Sequence, residues 1–469
     1  MNTYKERVTC IKNSQQLEIL RSKEYEVSLC EMLDAREIRV NRQVKLMEGG
    51  DSLVCFTMNI AGPYKNSPLI KMVFDEGVFR IKQMFEWSGI CVKQIECYIE
   101  KTGCEGYFLS DSDPYKIKKA LIQIEDSFTL GRLYDIDVIK PNGVKISRTD
   151  IGEAPRNCLI CGGEGAACAR SRAHTVEQLQ EHTVNIMCDF FNKKAAQNIG
   201  EKAVKSLLYE VSVTPKPGLV DRKDSGAHRD MDFFTFVNSS CSLYNYFEEC
   251  ATTGILLCDE TPQRVFQRIR YLGRLAEEKM YNSTQNVNTH KGAIFSLGII
   301  CAAVGFLEAN KKELTTDSIL DVSSQMAKVA IDDFKSVVEP HTFGEKLYSV
   351  SYILGIRGQA AEGYPAVKNI AYPILMQQIK AGASFNEAGI RALIHLIAEV
   401  EDTNIIKRSS EEELKRVQKS ARELLQLKGD EFDRGLDLLN EELIQKNISP
   451  GGCADLLSVS FMLYFSIEG

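Results

Sequence analysis

Residues 292–307, GAIFSLGIICAAVGFL, decide the fold of the second half of this 469-residue chain. The segment is apolar on nearly every face of a helix, whereas a surface helix keeps one polar face, so it belongs in the middle of a bundle. The sequence from about residue 193 onward has almost no strand signal. TPQRVFQRIRYLGRLAEEKM, for example, keeps helical spacing after Thr261 as the N-cap. We therefore predict an all-α helical bundle over residues 191–469.

The first half has a different pattern, in which helical and strand-like segments are mixed. Residues 14–47 have apolar positions at three- and four-residue spacing, which is typical of helical structure. SLVCFTMNI, VKQIECYI and LYDIDVI are typical of strands, and Asn142-Gly143 predicts a hairpin turn after the last of them. DPYKIKKALIQIEDSF predicts a helix with Asp113 as its N-cap. We expect residues 1–190 to form an α+β domain, with the junction in the polar helix around EHTVNIMCDFFNKKAAQN.

The composition excludes several classes of function. Hydrophobic residues make up 44% and charged residues 26%, which is ordinary for a globular protein. The net charge is −7 and neither half is strongly basic, so we expect no nucleic-acid partner. We find no apolar run of the roughly 18 residues that a membrane span needs and no signal-peptide core at the start. Fifteen scattered cysteines then predict reduced thiols and a cytoplasmic location.

One strand of the first half, GRLYDIDVI at residues 131–139, places two like charges side by side. Asp135 and Asp137 are two apart and share a face of the strand, which is unfavourable unless a positive group lies between them. Nucleotidyl-transferring folds use this arrangement to hold Mg²⁺ against a triphosphate. Gly131 would let the backbone approach phosphate, and Arg132 would add a charge-assisted contact. The alternative is that both carboxylates lie on a solvated strand face. The pattern favours a nucleotidyltransferase-like domain.

A second cluster, RNCLICGGEGAACARSRAH, follows that strand. Its spacing CxxC-x6-C-x5-H predicts a small tetrahedral zinc site. The four candidate ligands are Cys158, Cys161, Cys168 and His174. The alternative is a glycine-rich loop of reduced cysteines whose arginines contact phosphate. These arginines are Arg156, Arg170 and Arg172.

The helical half carries four polar segments beside predicted helix ends: VTPKPGLVDRKDSGAHRDMD, NVNTHKG, EDTNIIKR and SPGGCADLL. Each puts carboxylates or cations at a helix terminus, and Lys291 stands at an anion-favouring N-terminus. A bundle can gather such ends around one cleft. The alternative in each case is simpler, because an Asp near a helix start is usually a cap. His395 has the sequence context of a core histidine, whereas the context of His341 fits a core histidine and a ligand equally well.

MLDAREIRVNRQ, TMNIAGPYK, GRLYDIDVI, RNCLIC and CARSRAH occur in this order. Over residues 10–185 the chain therefore resembles the apo-citrate lyase phosphoribosyl-dephospho-CoA transferase family. The resemblance implies transfer of a phosphoribosyl-dephospho-CoA group to a serine of the citrate lyase acyl carrier protein, with release of pyrophosphate. Asp135 and Asp137 match the family's metal-binding pair. Lys65 and Arg36 are candidate phosphate ligands, or else surface cations.

TPKPGLVDRKDSGAHRDMD, NTHKGAIFSLG, GYPAV, EDTN and SPGGCADLL likewise resemble the triphosphoribosyl-dephospho-CoA synthase family, from about residue 195 to the end. The resemblance implies that ATP loses adenine while its C1′ is joined to the 2′-hydroxyl of 3′-dephospho-CoA. The segments VSVTPKPG and TNIIKRSS depart mildly from the usual motifs. The two families perform consecutive steps, so we predict a bifunctional enzyme that matures citrate lyase.

The chemistry of the second step suggests roles for the charged residues. A glycosyl transfer has oxocarbenium character, which favours nearby carboxylates and a proton donor for the departing base. The carboxylates proposed for Mg²⁺ binding or for stabilising that cation are Asp230, Asp232 and Asp402. The proton-transfer candidates are His228 and His290. The substrate-binding candidates are Lys216, Arg222, Lys291, Asn404 and Arg408. Two rival functions remain: an N-ribosyl hydrolase fused to a protein nucleotidyltransferase, and a nucleotide-binding regulator.

Overall fold

A computed structural model of the chain describes residues 12–336 and 354–469. His341 therefore lies outside the described residues. The described residues form two compact units, with the boundary between Phe191 and Asn192. That boundary falls inside the long helix Val176–Ser212. Each unit is described separately below.

The first unit contains a five-stranded sheet in which every described pair of neighbours is antiparallel, in the order β2-β3-β1-β4-β5. Its strands are β1 Ser52–Met58, β2 Gln94–Glu100, β3 Gly103–Ser110, β4 Tyr134–Ile139 and β5 Lys145–Ile146. Its helices are α1 Asn13–Leu20, α2 Leu29–Leu46, α3 Pro68–Ser88, α4 Pro114–Ser127 and α5 Gly165–Ser171. The α+β prediction for this half is confirmed at this level.

Local signals explain most of these boundaries. Asp113 caps α4 by accepting a hydrogen bond from the Lys116 amide at 2.9 Å. The hairpin between β4 and β5 turns at Gly143, whose φ of +81° lies in the left-handed region that glycine adopts without strain. Both features agree with the sequence predictions.

Two helices, α1 and α2, occupy residues 14–47, where the sequence predicted helical structure, and residues 21–28 separate them. Ser28 starts α2 with a capping box: its hydroxyl accepts from the Glu31 amide at 3.3 Å, and the Glu31 carboxylate accepts from the Ser28 amide at 2.7 Å. The motif Ser-x-x-Glu was present in the sequence and marks a helix start. The sequence analysis also missed strand β3, whose two glycines weaken its strand signal.

The second unit is helical in its described residues. It contains the part of helix α6, Val176–Ser212, that begins at Asn192. Its other helices are α7 Phe233–Ser242, α8 Tyr244–Leu256, α9 Pro262–Ser283, α10 Lys291–Ala309, α11 Thr316–Ser336, α12 Gly355–Ala361, α13 Tyr372–Lys380, α14 Phe385–Glu399, α15 Thr403–Arg408, α16 Glu411–Leu425, α17 Asp430–Gln445 and α18 Gly451–Ile467. A π-helical turn, Val367–Ala371, precedes α13. Thr261 and Pro262 start α9 as predicted. The all-α prediction agrees with this architecture.

Helix α10 is the centre of this unit, as its sequence predicts. It packs against α8, α9, α11 and α18. Glycines allow the closest of these approaches: a Cβ on Gly254 of α8 would lie 2.0 Å from the Ala302 carbonyl oxygen of α10. Length and composition alone would let α10 cross a membrane, contrary to our expectation that no segment passes this test. Because 78% of the apolar window is buried inside the unit, α10 has the environment of a core helix.

Candidate active sites of the two units

Strand β4 displays Asp135 and Asp137 on one face of the sheet. Buried Tyr134, Ile136 and Val138 alternate with them and face the other way. The Asp137 carboxylate accepts a hydrogen bond from Lys145 Nζ at 2.5 Å. Asp135 is exposed, and its carboxylate accepts no hydrogen bond within the described part of the chain. The strand thus neutralises one of the two like charges with a lysine and leaves the other carboxylate open to solvent.

A buried network of charged residues holds the backbone of β4 in place. Glu125 of α4 accepts from the Ile136 amide at 3.2 Å, and Lys118 Nζ donates to the Ile136 carbonyl at 2.8 Å. Arg156 pairs with Glu125 and also donates to the Tyr134 carbonyl at 2.6 Å. Burial raises the pKa of Glu125, and Arg156 opposes that shift. Arg156 therefore positions the strand. Because its guanidinium group already has these partners, the arrangement does not favour the contact with phosphate that the sequence suggested.

The residues that precede β4 also have structural roles. Gly131 is buried, and a Cβ there would lie 2.1 Å from the Ile124 carbonyl oxygen and 2.8 Å from that of Glu125. Gly131 is thus required because the chain packs closely against α4. This packing role replaces the role expected from the sequence, in which Gly131 lets the backbone approach phosphate. Arg132 donates to the Asn157 carbonyl and ties β4 to the cysteine-containing loop.

Two cations lie close together beside the sheet. Lys65 Nζ donates to the Ile60 carbonyl at 2.5 Å, in the segment that follows β1. Burial lowers the pKa of Lys65, and the neighbouring charge of Arg36 lowers it further. Arg36 has no carboxylate partner among the described residues, whereas Arg39 on the same helix pairs with Glu105 at 2.8 Å. The excess positive charge at Arg36 and Lys65 suits an anionic ligand.

The loop after β5 brings the four predicted zinc ligands together. One ligand atom from each of Cys158, Cys161, Cys168 and His174 lies within 4.8 Å of all the others. Arg170 and Arg172 lie between the third and fourth of these residues and are exposed. Arg170 makes an ion pair of 3.7 Å with Glu164.

In the helical unit, the four polar segments line two adjoining cavities. The larger has a volume of about 700 Å³ and the smaller about 310 Å³. Both are lined by Asn288, Lys291, Gly292, Asn404 and Asp455. The gathering of these segments around one region agrees with the sequence analysis. The larger cavity also contains Arg357 of α12, a cation that the sequence analysis did not select.

A buried ion pair lies at the wall of the smaller cavity. Lys216 is 1% exposed and pairs with Glu210 of α6, which is 3% exposed. The Lys216 amide donates to Asp221 at 2.8 Å. Burial raises the pKa of Glu210, and the charge of Lys216 opposes the shift. Glu210 lies within a long helix with no special local motif, and the sequence analysis missed it for that reason.

Asp402 connects two helix ends. Its Oδ1 accepts from the Asn404 amide at 2.8 Å at the start of α15. Its Oδ2 accepts from the Cys453 amide at 2.9 Å in the first turn of α18. Burial raises the pKa of Asp402, and these backbone hydrogen bonds act against that shift. The residue caps two helices at the wall of the larger cavity.

Asp455 is a half-buried residue at the junction of the two cavities. Burial raises its pKa well above the usual range, with Glu210 and Asp402 as further negative neighbours, while a hydrogen bond from the Ala293 amide opposes the shift. A Cβ on Gly292 would lie 1.9 Å from Asp455 Oδ2, so only glycine allows this close approach. Asp455 lies in the segment SPGGCADLL, and the sequence analysis gave it no role.

His290 is buried at the start of α10 and faces the smaller cavity. Thr289 Oγ1 donates to Ser239 Oγ at 2.7 Å, and Ser239 Oγ lies 2.7 Å from His290 Nδ1. When Ser239 in turn donates its own proton to Nδ1, the His290 proton resides on Nε2. Nε2 has no partner among the described residues. Burial lowers the pKa of His290 to about 3, with Lys216 as the second cause, so the ring is neutral near pH 7.

Both ring nitrogens of His228 have hydrogen-bond partners. Arg408 Nη2 lies 3.1 Å from Nδ1 and Ser449 Oγ lies 3.0 Å from Nε2. Burial lowers the pKa of His228 to about 4, and the charge of Arg408 adds to that shift. Arg408 also donates to the Ala227 carbonyl at 3.0 Å. This arrangement favours a positioning role for His228 over proton transfer.

The predicted metal set of the helical half is not assembled. Asp230 lines the smaller cavity, but Asp232 caps α7 through the Thr235 amide at 2.8 Å and lines neither cavity. Within the described residues, no group of three or more carboxylates, cysteines or histidines meets the spacing of a metal site in this unit. Arg222 also lines neither cavity and contacts Thr214 and Asn386.

Lys291 and Asn404 remain at the shared wall of the cavities. Lys291 Nζ is 2.8 Å from a Glu277 carboxylate oxygen, so its charge is partly neutralised. His395 lines neither cavity, and burial lowers its pKa, as expected for a histidine set among core residues.

Comparison with known proteins agrees with the division of the chain. A family model described as apo-citrate lyase phosphoribosyl-dephospho-CoA transferase matches residues 27–190. A model described as ATP:dephospho-CoA triphosphoribosyl transferase matches residues 196–468.

Relatives cover nearly the whole chain or its second half. Protein CitXG of Haemophilus influenzae is 33% identical over 459 residues, which cover 94% of this chain and 97% of that protein. Protein CitXG of Leuconostoc mesenteroides subsp. cremoris is 32% identical over 457 residues, covering 93% and 97%. A protein of Streptococcus mutans assigned as a 2-(5''-triphosphoribosyl)-3'-dephosphocoenzyme-A synthase is 37% identical over 289 residues, covering 58% and 97%.

One solved structure, described as a triphosphoribosyl-dephospho-coA synthase from Archaeoglobus fulgidus, gives a TM-score of 0.32 at 17% identity. It covers 49% of this chain and 97% of that chain, and the likeness is too low to inform the fold.

Proposed function

We infer the function of each unit from the family of the chain. The chain belongs to the family that fuses an apo-citrate lyase phosphoribosyl-dephospho-CoA transferase to an ATP:dephospho-CoA triphosphoribosyl transferase, and it is a bifunctional transferase of citrate lyase maturation. From this premise we propose that residues 191–469 make 2'-(5''-triphosphoribosyl)-3'-dephospho-CoA from ATP and 3'-dephospho-CoA with release of adenine. Residues 1–190 then transfer the phosphoribosyl-dephospho-CoA group to a serine of the citrate lyase acyl carrier protein, releasing pyrophosphate. The comparisons favour this function over a regulator or a hydrolase.

The observation that carries the synthase assignment is the pair of cavities that share one wall. Two substrates must meet at a single carbon, C1′ of ATP, and adjoining cavities meet that requirement. Lys407 and Arg408 give the smaller cavity a cationic lining that suits the triphosphate. The larger volume and the apolar side chains Phe295 and Leu456 of the other cavity suit 3'-dephospho-CoA.

Asp455 is the proton carrier in this proposal. Burial raises its pKa, which favours the protonated form of the carboxyl group, and Asp455 lines both cavities. It gives its proton to adenine as the C1′–N bond breaks, and it receives the proton of the 2′-hydroxyl as the new C1′–O bond forms. Each turnover thus restores the protonation state of Asp455. We expect Asp455→Asn to slow adenine release by about 10²- to 10⁴-fold, the usual range for a general acid.

Other groups of the helical unit hold the substrates. His290 is neutral, so its Nε2–H serves as a hydrogen-bond donor and the proton-donor role considered for it passes to Asp455. Asp402 fixes the starts of α15 and α18, and Asn404 and Lys291 then face both cavities. Closing both substrates in a buried site also keeps water away from a carbon with oxocarbenium character.

The transferase site is proposed on the open face of the sheet. Asp135 and Asp137 fit Mg²⁺ because they offer hard carboxylate oxygens on one face, and Asp135 has no internal partner in the described chain. When bound, Mg²⁺ neutralises phosphate charge. Arg36 and Lys65 supply further positive charge for the triphosphate, and Arg170 and Arg172 are candidates for the same role. The carrier serine attacks the α-phosphorus, so the protein mainly positions groups and needs no nucleophile of its own.

A cytoplasmic location is part of this proposal. All 14 cysteines that the structure describes are free, which agrees with a reducing compartment. We propose no nucleic-acid or membrane partner.

The synthase assignment is tested by incubating the purified protein with ATP and Mg²⁺, with and without 3'-dephospho-CoA. We expect adenine release only when 3'-dephospho-CoA is present, together with one adduct of the two substrates by mass spectrometry. Release of free ribose triphosphate with no adduct would show that the unit is an N-ribosyl hydrolase. No adenine release under any of these conditions would favour a regulator.

A further inference from the structure

We propose that the loop Cys158–His174 binds one structural zinc ion through three cysteine thiolates and one histidine, and that this ion fixes the loop against the start of β4. None of the four ligands is used for either reaction above. It concerns the transferase unit alone and does not depend on the order of the two reactions.

The geometry of the four ligand atoms fits zinc. In a tetrahedral site with Zn–S bonds of about 2.3 Å, neighbouring sulfur atoms lie about 3.8 Å apart. Cys161 Sγ and Cys168 Sγ are 3.5 Å apart, and all four ligand atoms lie within 4.8 Å of one another. Binding of the ion thus requires only small movements of four side chains whose ligand atoms already lie close together.

The loop backbone has the form that a metal-binding CxxC turn needs. The Cys158 amide donates to the Gly163 carbonyl at 2.6 Å, and the Gly162 amide donates to the Cys158 carbonyl at 3.2 Å. Amides of Ile160 and Cys161 donate to the Cys158 sulfur, an arrangement that stabilises a thiolate. Gly162 has a φ of +72°, which allows the tight turn.

The histidine supplies an independent observation. His174 Nε2 is buried and has no hydrogen-bond partner within the described residues. A buried polar atom without a partner normally carries a free-energy penalty of about 1–3 kcal/mol, so its presence calls for a ligand. The position of His174 beside three cysteine sulfurs identifies that ligand as a metal that prefers nitrogen and sulfur.

The position of the loop gives the ion a function. Arg132 donates to the Asn157 carbonyl, and Arg156 holds both Glu125 and the Tyr134 carbonyl, so the loop begins directly behind the strand that carries Asp135 and Asp137. Helix α5, which supplies Cys168, is only seven residues long and would gain order from a metal crosslink. The ion would also fix the exposed Arg170 and Arg172 between its third and fourth ligands.

The test is the metal content of the full chain, measured by elemental mass spectrometry after growth with zinc and after removal of loosely bound metal. We expect about one zinc per chain in the wild type and less than about a tenth in Cys158→Ser and in His174→Ala, because a structural site needs all four ligands. Cys30→Ser and Cys91→Ser remove exposed cysteines elsewhere in the same unit and should retain the zinc. Unchanged zinc in Cys158→Ser, or no zinc in the wild type after reconstitution, would overturn the proposal.

Further measurements keep the result clear if a variant folds poorly. Co²⁺ added to the wild-type protein should give the visible bands and the thiolate-to-metal charge-transfer band of a tetrahedral thiolate site, and their absence would contradict the proposal. Adenine release reports on the helical unit and should stay unchanged in the zinc-free variants, whereas carrier labelling falls. Detection of a Cys161–Cys168 disulfide in the protein as isolated would also overturn it.

Discussion

The two proposed active sites differ most in their exposure to water. In the sheet unit, Asp135 is exposed and Asp137 pairs with Lys145, whose side chain is 58% exposed. In the helical unit, Lys216 and Glu210 form an ion pair that is almost fully buried. The same kind of pair therefore lies on a surface in one unit and inside a core in the other.

The difference follows from the substrates that each site must accept. The serine of a carrier protein can reach only a group that lies on an accessible surface. A glycosyl transfer between two small molecules must exclude water, which would otherwise capture C1′. We infer that one chain solves the two problems with two kinds of site: charges on the open face of a sheet, and charges enclosed by helix ends.

The largest effect is expected from Asp137→Asn, which removes charge from the exposed site. Loss of a carboxylate that holds Mg²⁺ removes several kcal/mol of charge stabilisation, so carrier labelling from pre-made precursor should fall by about a thousandfold or more. Adenine release should stay within about twofold of the wild type, a change of less than about 0.5 kcal/mol.

Asp34→Asn is the matched control, because Asp34 is an exposed carboxylate of α2 in the same unit. It should label the carrier normally. Loss of both activities in Asp137→Asn would show that the two sites are not independent.

The next effect concerns the contribution of each of the two ion pairs to the free energy of unfolding. Lys216→Met leaves Glu210 buried without a partner, and we expect it to lower the free energy of unfolding by about 3–5 kcal/mol. Lys145→Met breaks an exposed pair and should cost less than about 1 kcal/mol. Chemical denaturation of the full chain, followed by a probe of each unit, measures both changes.

The double variant Lys216→Met with Glu210→Leu sharpens this comparison. Replacing both charges by apolar side chains should recover much of the lost stability, while adenine release stays low because the charged wall of the smaller cavity is gone. Equal costs for Lys216→Met and Lys145→Met would contradict the difference in burial on which the comparison depends.

A smaller effect is expected at His290. Its pKa of about 3 lies far below the working range, so the ring gains no proton as the pH falls from 8 to 5, and its titration should leave no inflection in the rate of adenine release. His290→Ala should lower the rate by about 10- to 100-fold, as loss of a buried hydrogen-bond donor of about 1–3 kcal/mol predicts. His290→Gln keeps a donor and should recover part of the rate. An inflection near pH 6.5 that disappears in His290→Ala would show that the ring titrates.

The smallest effect is expected from Asp232→Asn. Asn caps a helix about as well as Asp, so stability should change by less than about 0.5 kcal/mol and adenine release should be unchanged. The measurement is a pair of melting curves and rates beside Asp433→Asn, an exposed Asp-to-Asn change on α17. A hundredfold loss of release in Asp232→Asn would restore Asp232 as a metal ligand.

The sequence predicted the elements that depend on local chemistry. The apolar run of α10, the capping residues Asp113 and Thr261, and the turn at Gly143 each act within a few neighbouring residues. The break before α2 was also encoded locally, by the capping box of Ser28, but the continuous helical spacing concealed it.

The parts of the sites that were missed depend on burial and on how the folded chain brings side chains together. Glu210 gains its significance only because Lys216 turns back onto α6 in a buried environment. Asp455 matters because it lies against Gly292, more than 160 positions away. Asp232 and Asp402 both precede helices in the sequence, and only burial separates the exposed cap from the one that joins two helices at a cavity.

The most direct test of the two-site account is a complementation experiment read by mass spectrometry of the acyl carrier protein. Asp137→Asn and Asp455→Asn proteins are incubated separately and together with ATP, Mg²⁺, 3'-dephospho-CoA and the carrier. We predict that neither variant labels the carrier alone and that the mixture does, because one supplies the precursor and the other transfers it. An unlabelled carrier in the mixture, although Asp137→Asn still releases adenine and Asp455→Asn still transfers pre-made precursor, would contradict two sites linked by a free intermediate.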